Sequence, residues 1–585
     1  MKLLLTAVNA KYIHSNPAIY CLQSYAAKYK DNIELAEYTI NQSLDDILRS
    51  IYEKHPDVLA ISCYIWNMQM VERIIREYKK LDPQVDIWVG GPEVSYDATA
   101  CLLRLPELTG VMIGEGEETF LELIANYVTN LDAKQGFCNI EGIAYRNCNQ
   151  EIQCTKLRQA VDFSRLPFLY QFAMDLHAFE HRIIYYETSR GCPFSCSYCL
   201  SSIDKRVRFR DLDLVYQELQ LFLDKKVPQV KFIDRTFNCN KKHAMSILRF
   251  LKEHDNGITN FHFEIAADLL DEEQLEFLAT LRPGLIQLEI GVQSTNPDTI
   301  KAIHRHMDLK KIAYNVAKVK ESRNIHQHLD LIAGLPYENY TSFQQSFDEV
   351  YAMRPDQLQL GFLKVLKGSY MGECCKEYNI VYHSESPYEV LYTQWLSYSD
   401  VCKLKDLEEM VEIYYNSGQF AHTIRYLEHY YESSFSMYES LALYYRTNKL
   451  FDCNHSRMSR YTILMNFTKE QLKKDEFEVL LQLMTFDLYS REKLKARPTF
   501  TKPYEEYKKE YKSFLTNHAA NYGIGDCVHM EHFTHDIFVA EQEGVVKEKD
   551  FFILFDYSKE KSIFGESSYT LLVKQASGLV VVEML

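Results

Sequence analysis

Twice along this chain of 585 residues, short apolar runs of strand length alternate with longer amphipathic stretches, and that alternation leaves few folds open. In residues 1–128 the apolar runs fall at 2–8, 33–38, 57–63, 85–89 and 109–113, and the amphipathic stretches at about 17–29, 43–55, 67–81, 94–104 and 117–128. Five such units predict a doubly wound parallel sheet. From Ile183 the alternation resumes, with strands predicted near 183–188, 229–234, 261–266, 286–291, 327–333 and 357–363. Six βα units give a partial barrel. In both architectures ligands bind at the carboxyl ends of the strands, so the residues just after each run carry the most information.

In the first unit those residues are Asn9-Ala10-Lys11-Tyr12-Ile13-His14, Ser62-Cys63-Tyr64-Ile65-Trp66-Asn67, Val89-Gly90-Gly91-Pro92-Glu93 and Gly114-Glu115-Gly116-Glu117. Glycines there let the backbone approach a large ligand closely, and turn chemistry is the competing explanation. The G-x-G-x-x-G of a dinucleotide domain is missing from the first turn. In the second unit polar residues stand at the strand ends: Glu187, Asp234-Arg235-Thr236, Glu264 and Asp268, Glu289, and Gln293-Ser294. Carboxylates inside a barrel need partners, whether a ligand or a salt bridge.

Directly after the first strand of the second unit comes Arg190-Gly-Cys-Pro-Phe-Ser-Cys-Ser-Tyr-Cys-Leu200, which sets Cys192, Cys196 and Cys199 in the spacing C-x3-C-x2-C. Three thiolates on a loop containing Gly191 and Pro193 can converge on one iron–sulfur cluster, and they leave one iron of a four-iron cluster without a protein ligand. Zinc is the alternative, but a structural zinc site wants four protein ligands and no second pair completes this one.

This spacing, with Tyr198 just before the third cysteine, resembles the signature of the radical S-adenosylmethionine (SAM) enzymes. The resemblance implies a 4Fe–4S cluster whose open iron takes the amine and carboxylate of SAM, and an electron that cleaves the sulfonium. It also implies that Tyr198, Asp234, Thr236, Glu264, Glu289, Gln293 and Ser294 contact SAM. Asp330-Leu-Ile-Ala-Gly334-Leu-Pro336 resembles the family's segment near the adenine. A doubly wound domain ahead of such a core resembles the cobalamin-binding domain of the cobalamin-dependent members. On that resemblance Asn9, Tyr12, Ser62, Tyr64, Trp66, Asn67, Gly90, Gly91, Pro92, Gly114, Glu115, Gly116 and Glu117 are the cobalamin contacts. The D-x-H-x-x-G element that supplies an axial histidine in many cobalamin proteins does not occur, so base-off cobalamin is implied. Trp66 either covers the lower cobalt face or packs at a helix start, and His14 is read as a polar contact.

A net charge of −16 argues against an indiscriminate nucleic-acid binder, whose affinity would rest on a basic face. The basic and aromatic stretch Lys493 to Lys512 is broken by Glu505, Glu506 and Glu510, and a solvated helical face is the better reading than an RNA surface. Arg206, Arg208 and Arg210 either orient an anionic substrate or face solvent. No stretch reaches the ~18–20 apolar residues of a membrane span. Fifteen scattered cysteines fit a reducing compartment, so a cytoplasmic protein is expected, with an electron donor such as flavodoxin or ferredoxin as partner.

The expected layout is a Rossmann-like cobalamin-binding domain at 1–135, a hairpin and linker at 136–180, a partial (β/α)6 radical SAM barrel with the 4Fe–4S cluster at 181–375, and an extension at 376–585. The extension is predicted to be helical at 387–415, 418–432, 435–448 and 468–495. It then becomes α+β, with strands at 536–540, 551–555, 568–573 and 579–584, and Met530-Glu-His532-Phe-Thr-His535-Asp536 as a polar loop. The leading functional expectation is methylation of an unactivated carbon or a phosphinate phosphorus. A radical rearrangement, ring contraction or cyclisation without methyl transfer is the second. A non-catalytic cobalamin sensor or scaffold is the third, and the complete cysteine motif speaks against it. Methylthio transfer ranks low, because the N-terminal domain lacks a cysteine trio for an auxiliary cluster.

Overall fold

The computed structural model describes residues 1–130, 132–173, 179, 181–518, 527–576 and 578–584. The end of the expected linker, 174–178 and 180, lies outside the described residues. In the first module β1 (Leu3–Asn9), β2 (Ile33–Thr39), β3 (Val58–Ser62), β4 (Asp86–Gly90) and β5 (Gly110–Met112) run parallel in the order β2-β1-β3-β4-β5. β1 and β3 are buried at every position, as strands covered by helices on both faces must be. The helix Met68–Leu81 supplies one cover, burying Met68, Val71, Ile74, Ile75 and Tyr78 along one face. The strand order reverses between β1 and β3, which opens a crevice at their carboxyl ends. The expected hairpin is no free connector. β6 (Ile143–Arg146) pairs antiparallel with β5, and β7 (Ile152–Cys154) with β6, so the sheet has seven strands.

β8 (Ile184–Tyr186) begins the second module, and β9 (Ser189–Arg190) with β10 (Arg208–Phe209) forms a short antiparallel ribbon. β11 (Gln229–Phe232), β12 (Asn260–Ile265), β13 (Ile286–Gln293), β14 (His326–Ala333) and β15 (Gln357–Phe362) complete a parallel sheet ordered β8-β11-β12-β13-β14-β15. This is the expected partial barrel, open between β8 and β15.

The extension begins with a ribbon of β16 (Val381–Tyr382) and β17 (Val390–Tyr392), so the helix predicted from 387 starts only at Tyr398. Ser397 sets that start by accepting the Asp400 N–H. The helix predicted at 468–495 is shorter, Lys474–Tyr489, and Arg457–Thr468 before it is a further helix that lies outside the predicted spans. The last module is an antiparallel sheet of β18 (Val528–His535), β19 (Glu548–Asp556), β20 (Ser568–Gln575) and β21 (Gly578–Met584). Two expectations fail here. The stretch expected as a polar loop belongs to β18, with Met530 and Phe533 buried. The strand expected at 536–540 is instead the helix Ile537–Glu543, because Asp536 caps it by accepting the Val539 N–H and Gly544, at φ 68°, ends it. The aromatic residues of the basic stretch turn inward: Tyr507 is buried under the terminal sheet with Tyr504 and Tyr511 against it. One hydrophobic core runs from Tyr170 through the barrel and the helices to Phe555. No helix among the described residues is long and apolar enough to cross a membrane.

Candidate active site

Cys192, Cys196 and Cys199 lie on the excursion between β9 and β10, beyond the carboxyl end of β8. Gly191 makes its entry possible: φ is +97°, and a Cβ there would lie 2.4 Å from the Arg206 carbonyl oxygen on the returning limb. Backbone bonds fix the path, Cys192 N–H to Asp204 O at 3.2 Å, Cys199 N–H to Cys196 O at 3.1 Å and Ser197 N–H to Ile303 O at 2.9 Å. The loop thus presents three cysteines along one short excursion, the set that a 4Fe–4S cluster with one open iron takes.

Arg305 escaped the sequence reading, since a lone arginine between two histidines after the short helix Pro297–Ala302 has no pattern to mark it. Its Nη1 lies 3.7 Å from Cys196 Sγ and 3.2 Å from the Tyr198 hydroxyl, and its Nη2 donates to the Gly291 carbonyl. Burial works against its charge, and Tyr198 and Cys196 outweigh burial. Thr236 flanks the loop from the other side, its Oγ1 3.7 Å from Cys192 Sγ.

The residues expected at SAM separate into three groups. Tyr198, Thr236 and Gln293 stand at the strand-end rim, where Gln293 has φ 74° and a buried Oε1 with no partner in the chain. Asp234 and Ser294 serve the scaffold. Asp234 is fully buried and accepts the Thr188 N–H at 2.7 Å and the Thr188 and Ser189 hydroxyls at 2.6 Å each, which pins the exit from β8 into the loop. Burial pushes its carboxyl up to about 7 in spite of those bonds. Ser294 donates to Glu338 at 2.6 Å. Glu264 and Glu289 lie deeper, side by side in register on β12 and β13 inside the barrel.

A cavity of about 940 Å³ opens between the first two modules. Ser62, Tyr64, Gly90, Gly91, Pro92 and Gly114 to Glu117 line it from the first, and Glu187, Arg190, Gly191, Leu200, Ile203 and Arg235 from the second. Leu5, Leu22, Ala60 and Met112 give it an apolar inner wall. Gly91, at φ +112°, passes so close to Cys63 that a Cβ would meet its carbonyl oxygen at 2.5 Å, and Gly114, at φ +78°, faces open space. The volume is at the upper end of the ~300–1,000 Å³ of small-molecule sites, which suits a cofactor as large as cobalamin. No histidine is among the described lining residues.

Tyr64, rather than Trp66, faces this cavity. Trp66 stacks on Tyr64 with ring centroids 4.4 Å apart and donates its indole N–H to the Val8 carbonyl at 3.3 Å. Asn67 is wholly committed to its loop, taking the Tyr64 N–H at 2.8 Å and giving to the Val8 and Ser62 carbonyls at 3.0 Å. Asn9 likewise gives to the His14 carbonyl at 3.0 Å, and Tyr12 lies outside the lining, 4.7 Å from the Arg182 guanidinium. His14 meets the barrel, its Nδ1 2.7 Å from the Tyr185 hydroxyl.

Glu115 and Glu117 reach across the cavity mouth. Arg208 Nη2 lies 2.6 Å from Glu115, and Arg190 Nη1 lies 2.8 Å from Glu117 while its other nitrogens grip Glu187. Burial would raise the Glu115 carboxyl, and Arg208 and Arg190 together hold it below its ordinary value. Arg210 is buried against Glu218 at 2.5 Å. Of the three arginines considered for an anionic substrate, then, Arg208 is part of a clamp between modules, Arg210 belongs to the core, and Arg206 alone is exposed at the cavity edge.

Residues 3–124 match the family model of the B12 binding domain, 186–350 that of the radical SAM superfamily, and 376–555 that of a protein of unknown function, DUF4080. The chain is 27% identical over 309 residues to the cobalamin-dependent radical SAM methyltransferase TokK of Streptomyces tokunonensis, over 49% of this chain and 44% of that one. It is 23% identical over 343 residues to the anaerobic magnesium-protoporphyrin IX monomethyl ester cyclase of Rubrivivax gelatinosus, over 57% of this chain and 60% of that one. The chain thus spans less than two thirds of either relative. The structure of the cobalamin-dependent S-adenosylmethionine radical enzyme OxsB, with aqua-cobalamin and S-adenosylmethionine bound, shares the fold with a TM-score of 0.58 at 16% identity, over 90% of this chain and 82% of that one. The chain therefore carries a B12 binding domain followed by a radical SAM domain, the two modules that together imply a 4Fe–4S cluster, S-adenosylmethionine and cobalamin as cofactors.

Proposed function

We propose that this chain is a cytoplasmic enzyme that transfers a methyl group to an unactivated carbon or a phosphinate phosphorus. On this reading residues 1–135 hold cobalamin, 136–180 connect, 181–375 hold the cluster and SAM, and 376–585 complete the barrel. The observation that carries it is the shared cavity, bounded by Tyr64, Gly91 and Gly114 from one module and by Gly191 and Leu200 of the cysteine loop from the other. When bound, the cluster and SAM supply hydrogen-atom abstraction, and cobalamin supplies a carrier for the methyl group.

The chain's own residues position these groups. Thr236 and Arg305 flank the thiols, and Arg305 and Gln293 offer a donor and an acceptor at the rim for the carboxylate and amine of SAM. Tyr64, backed by Trp66, forms one wall of the cavity, and among the described residues the lining offers no imidazole to cobalt. Arg206 and Arg235 present cations there to an anionic substrate. The likeness to the cyclase over 57% of the chain favours a second reading, radical rearrangement or cyclisation without methyl transfer.

Reconstituted enzyme given SAM, cobalamin and a low-potential donor such as flavodoxin or ferredoxin separates the two. Methyl transfer requires both 5′-deoxyadenosine and S-adenosylhomocysteine. Deoxyadenosine alone, with the true substrate present, supports rearrangement, and neither product under any reductant overturns the catalytic reading. Methyl-labelled SAM in a cell extract identifies the acceptor.

A further inference from the structure

Beneath the strand-end rim, the barrel lumen holds a second group of ligand-type side chains that the reading above does not use. Register aligns Glu264, Glu289 and His328 across β12, β13 and β14. Asp330 lies two residues beyond His328, on the same face of β14. Among the described residues, Glu289, His328 and Asp330 are the one set of three His, Cys, Asp or Glu residues whose ligand atoms all lie within 4.8 Å of one another.

The surroundings point to a cation. His328 is 7% exposed, and its Nε2 has no hydrogen-bond partner in the chain although Asp330 Oδ1, equally unpartnered, lies 3.1 Å away. His262 Nε2 lies 2.9 Å from Glu289 Oε2. Polar atoms at this spacing match neighbouring ligands of one ion, since metal–ligand bonds of about 2.0–2.2 Å leave adjacent donor atoms roughly 3 Å apart. Charge tells the same way. Glu264, Glu289 and Asp330 share the lumen with Lys231, which pairs with Glu289 Oε2 at 2.8 Å.

We propose that the lumen binds one divalent transition-metal ion, separate from the cluster, through His328 Nε2 and the carboxylates of Glu289 and Asp330. Lys231 and His262 flank Glu289 from β11 and β12 and orient it, as groups behind a metal-ligating carboxylate do. A mixed nitrogen and oxygen set suits Zn²⁺, Mn²⁺ or Fe²⁺. Three protein ligands leave a coordination position for an oxygen or nitrogen of a substrate.

The test is metal counting on the full-length holoprotein, with its cluster assembled, after passage over a chelating resin and titration with Zn²⁺ alone. One zinc per chain beyond the cluster iron is expected. The double variant His328→Gln/Asp330→Asn should bind it at least about tenfold more weakly, the loss of an outer-sphere or inner-sphere partner, while keeping its cluster. Since lumen substitutions can disturb the barrel, a second measurement needs no variant: Mn²⁺ added to wild-type holoprotein should give a protein-bound electron paramagnetic resonance signal that Zn²⁺ displaces. No retained zinc and no bound manganese would overturn the proposal. So would equal zinc in the double variant, or zinc that disappears when Cys192, Cys196 and Cys199 are all changed to Ala, which would assign it to the thiols.

Discussion

Arg190→Met is the sharpest test of how the two cofactor modules are held together. The guanidinium makes contacts of 3.1, 3.3 and 2.9 Å with Glu187, one of 2.8 Å with Glu117 and one of 3.4 Å with Glu115. Burial alone would lower its pKa, and Glu187 and Glu117 lift it well above the usual value, so the pairing is what keeps the charge in place. The side chain is 20% exposed and Glu117 only 6%, which puts the pair among those where removing one partner costs about 3–5 kcal/mol. Each module keeps its own core, so the loss falls on the closed state of the cavity. At about 1.4 kcal/mol per decade, 3 kcal/mol weakens hydroxocobalamin binding to the full-length chain roughly a hundredfold. Glu117→Gln in the same chain removes the charge left alone, and the cycle formed by the two single variants and the double should show coupling of about 1–3 kcal/mol. Affinity is read by absorbance titration at fixed ionic strength. If Arg190→Met binds cobalamin within about twofold of wild type, or the cycle closes without coupling, the clamp does not hold the cavity and the reasoning fails.

Two further outcomes follow from the cysteine loop. Gly191→Ala forces a side chain into a left-handed backbone, at about 1–2 kcal/mol, and brings its Cβ to 2.4 Å from the Arg206 carbonyl oxygen. The protein should fold but assemble its cluster well below one per chain, and full iron and sulfide content would show that the loop relaxes. Asp234, with a folded pKa of about 7 against an ordinary 3.8, takes up a proton on folding. Its contribution is therefore fully present below the lower value and is lost as pH rises through the higher, by roughly 1.4 kcal/mol per unit and ~4 kcal/mol in all. Asp234→Asn should flatten the fall in stability between about pH 4 and about pH 7, followed by thermal melts, and parallel pH profiles for variant and wild type would sink this.

How much of this could be read from the sequence depended on whether a feature is local. The predicted strands of the first two modules lie within three residues of those observed at either end, because a run such as Val58–Ser62 is buried on both faces and carries its own signal. The helix predicted from 387 failed because the ribbon of β16 and β17 depends on a distant pairing, the bridge between Lys364 and Glu389, that no local pattern contains. The helix Ile537–Glu543 failed for the opposite reason: its Ile-Phe-Val start reads as strand, and two residues at its ends decide otherwise. In the site, the cysteines were legible because their spacing is the chemistry. Asp234 was not, since a carboxylate at a strand end looks the same whether it meets a ligand or its own chain. The clamp was invisible, because its partners are 73 and 93 residues apart.

The extension, the part least legible in sequence, has a physical reason to be there. A six-stranded open sheet presents two unpaired edges, and exposed edges invite association with other strands. At β8 the first module answers, with Ile183 N–H bonded to the Ile13 carbonyl at 2.7 Å and a parallel bridge between His14 and Ile183. At β15 the extension answers. Asn416 sits on the π-helical turn Glu412–Asn416 that continues the helix Tyr398–Val411, and its side-chain amide takes the Leu358 N–H and gives to the Leu358 carbonyl, both at 2.9 Å. That is the pair of bonds a neighbouring strand would make. Just beyond the end of β15, Val390 N–H bonds the Leu363 carbonyl at 2.8 Å and Val365 N–H the Tyr388 carbonyl at 3.0 Å. Behind these bonds Phe347 and Tyr351 of the barrel helix Tyr340–Ala352 pack on Phe435 and Tyr438 of the extension, inside the continuous core. The barrel is thus finished on one side by the cobalamin module and on the other by the extension. Removing either would leave a bare strand edge next to the lumen, which is why the barrel around the cysteine loop needs both neighbours.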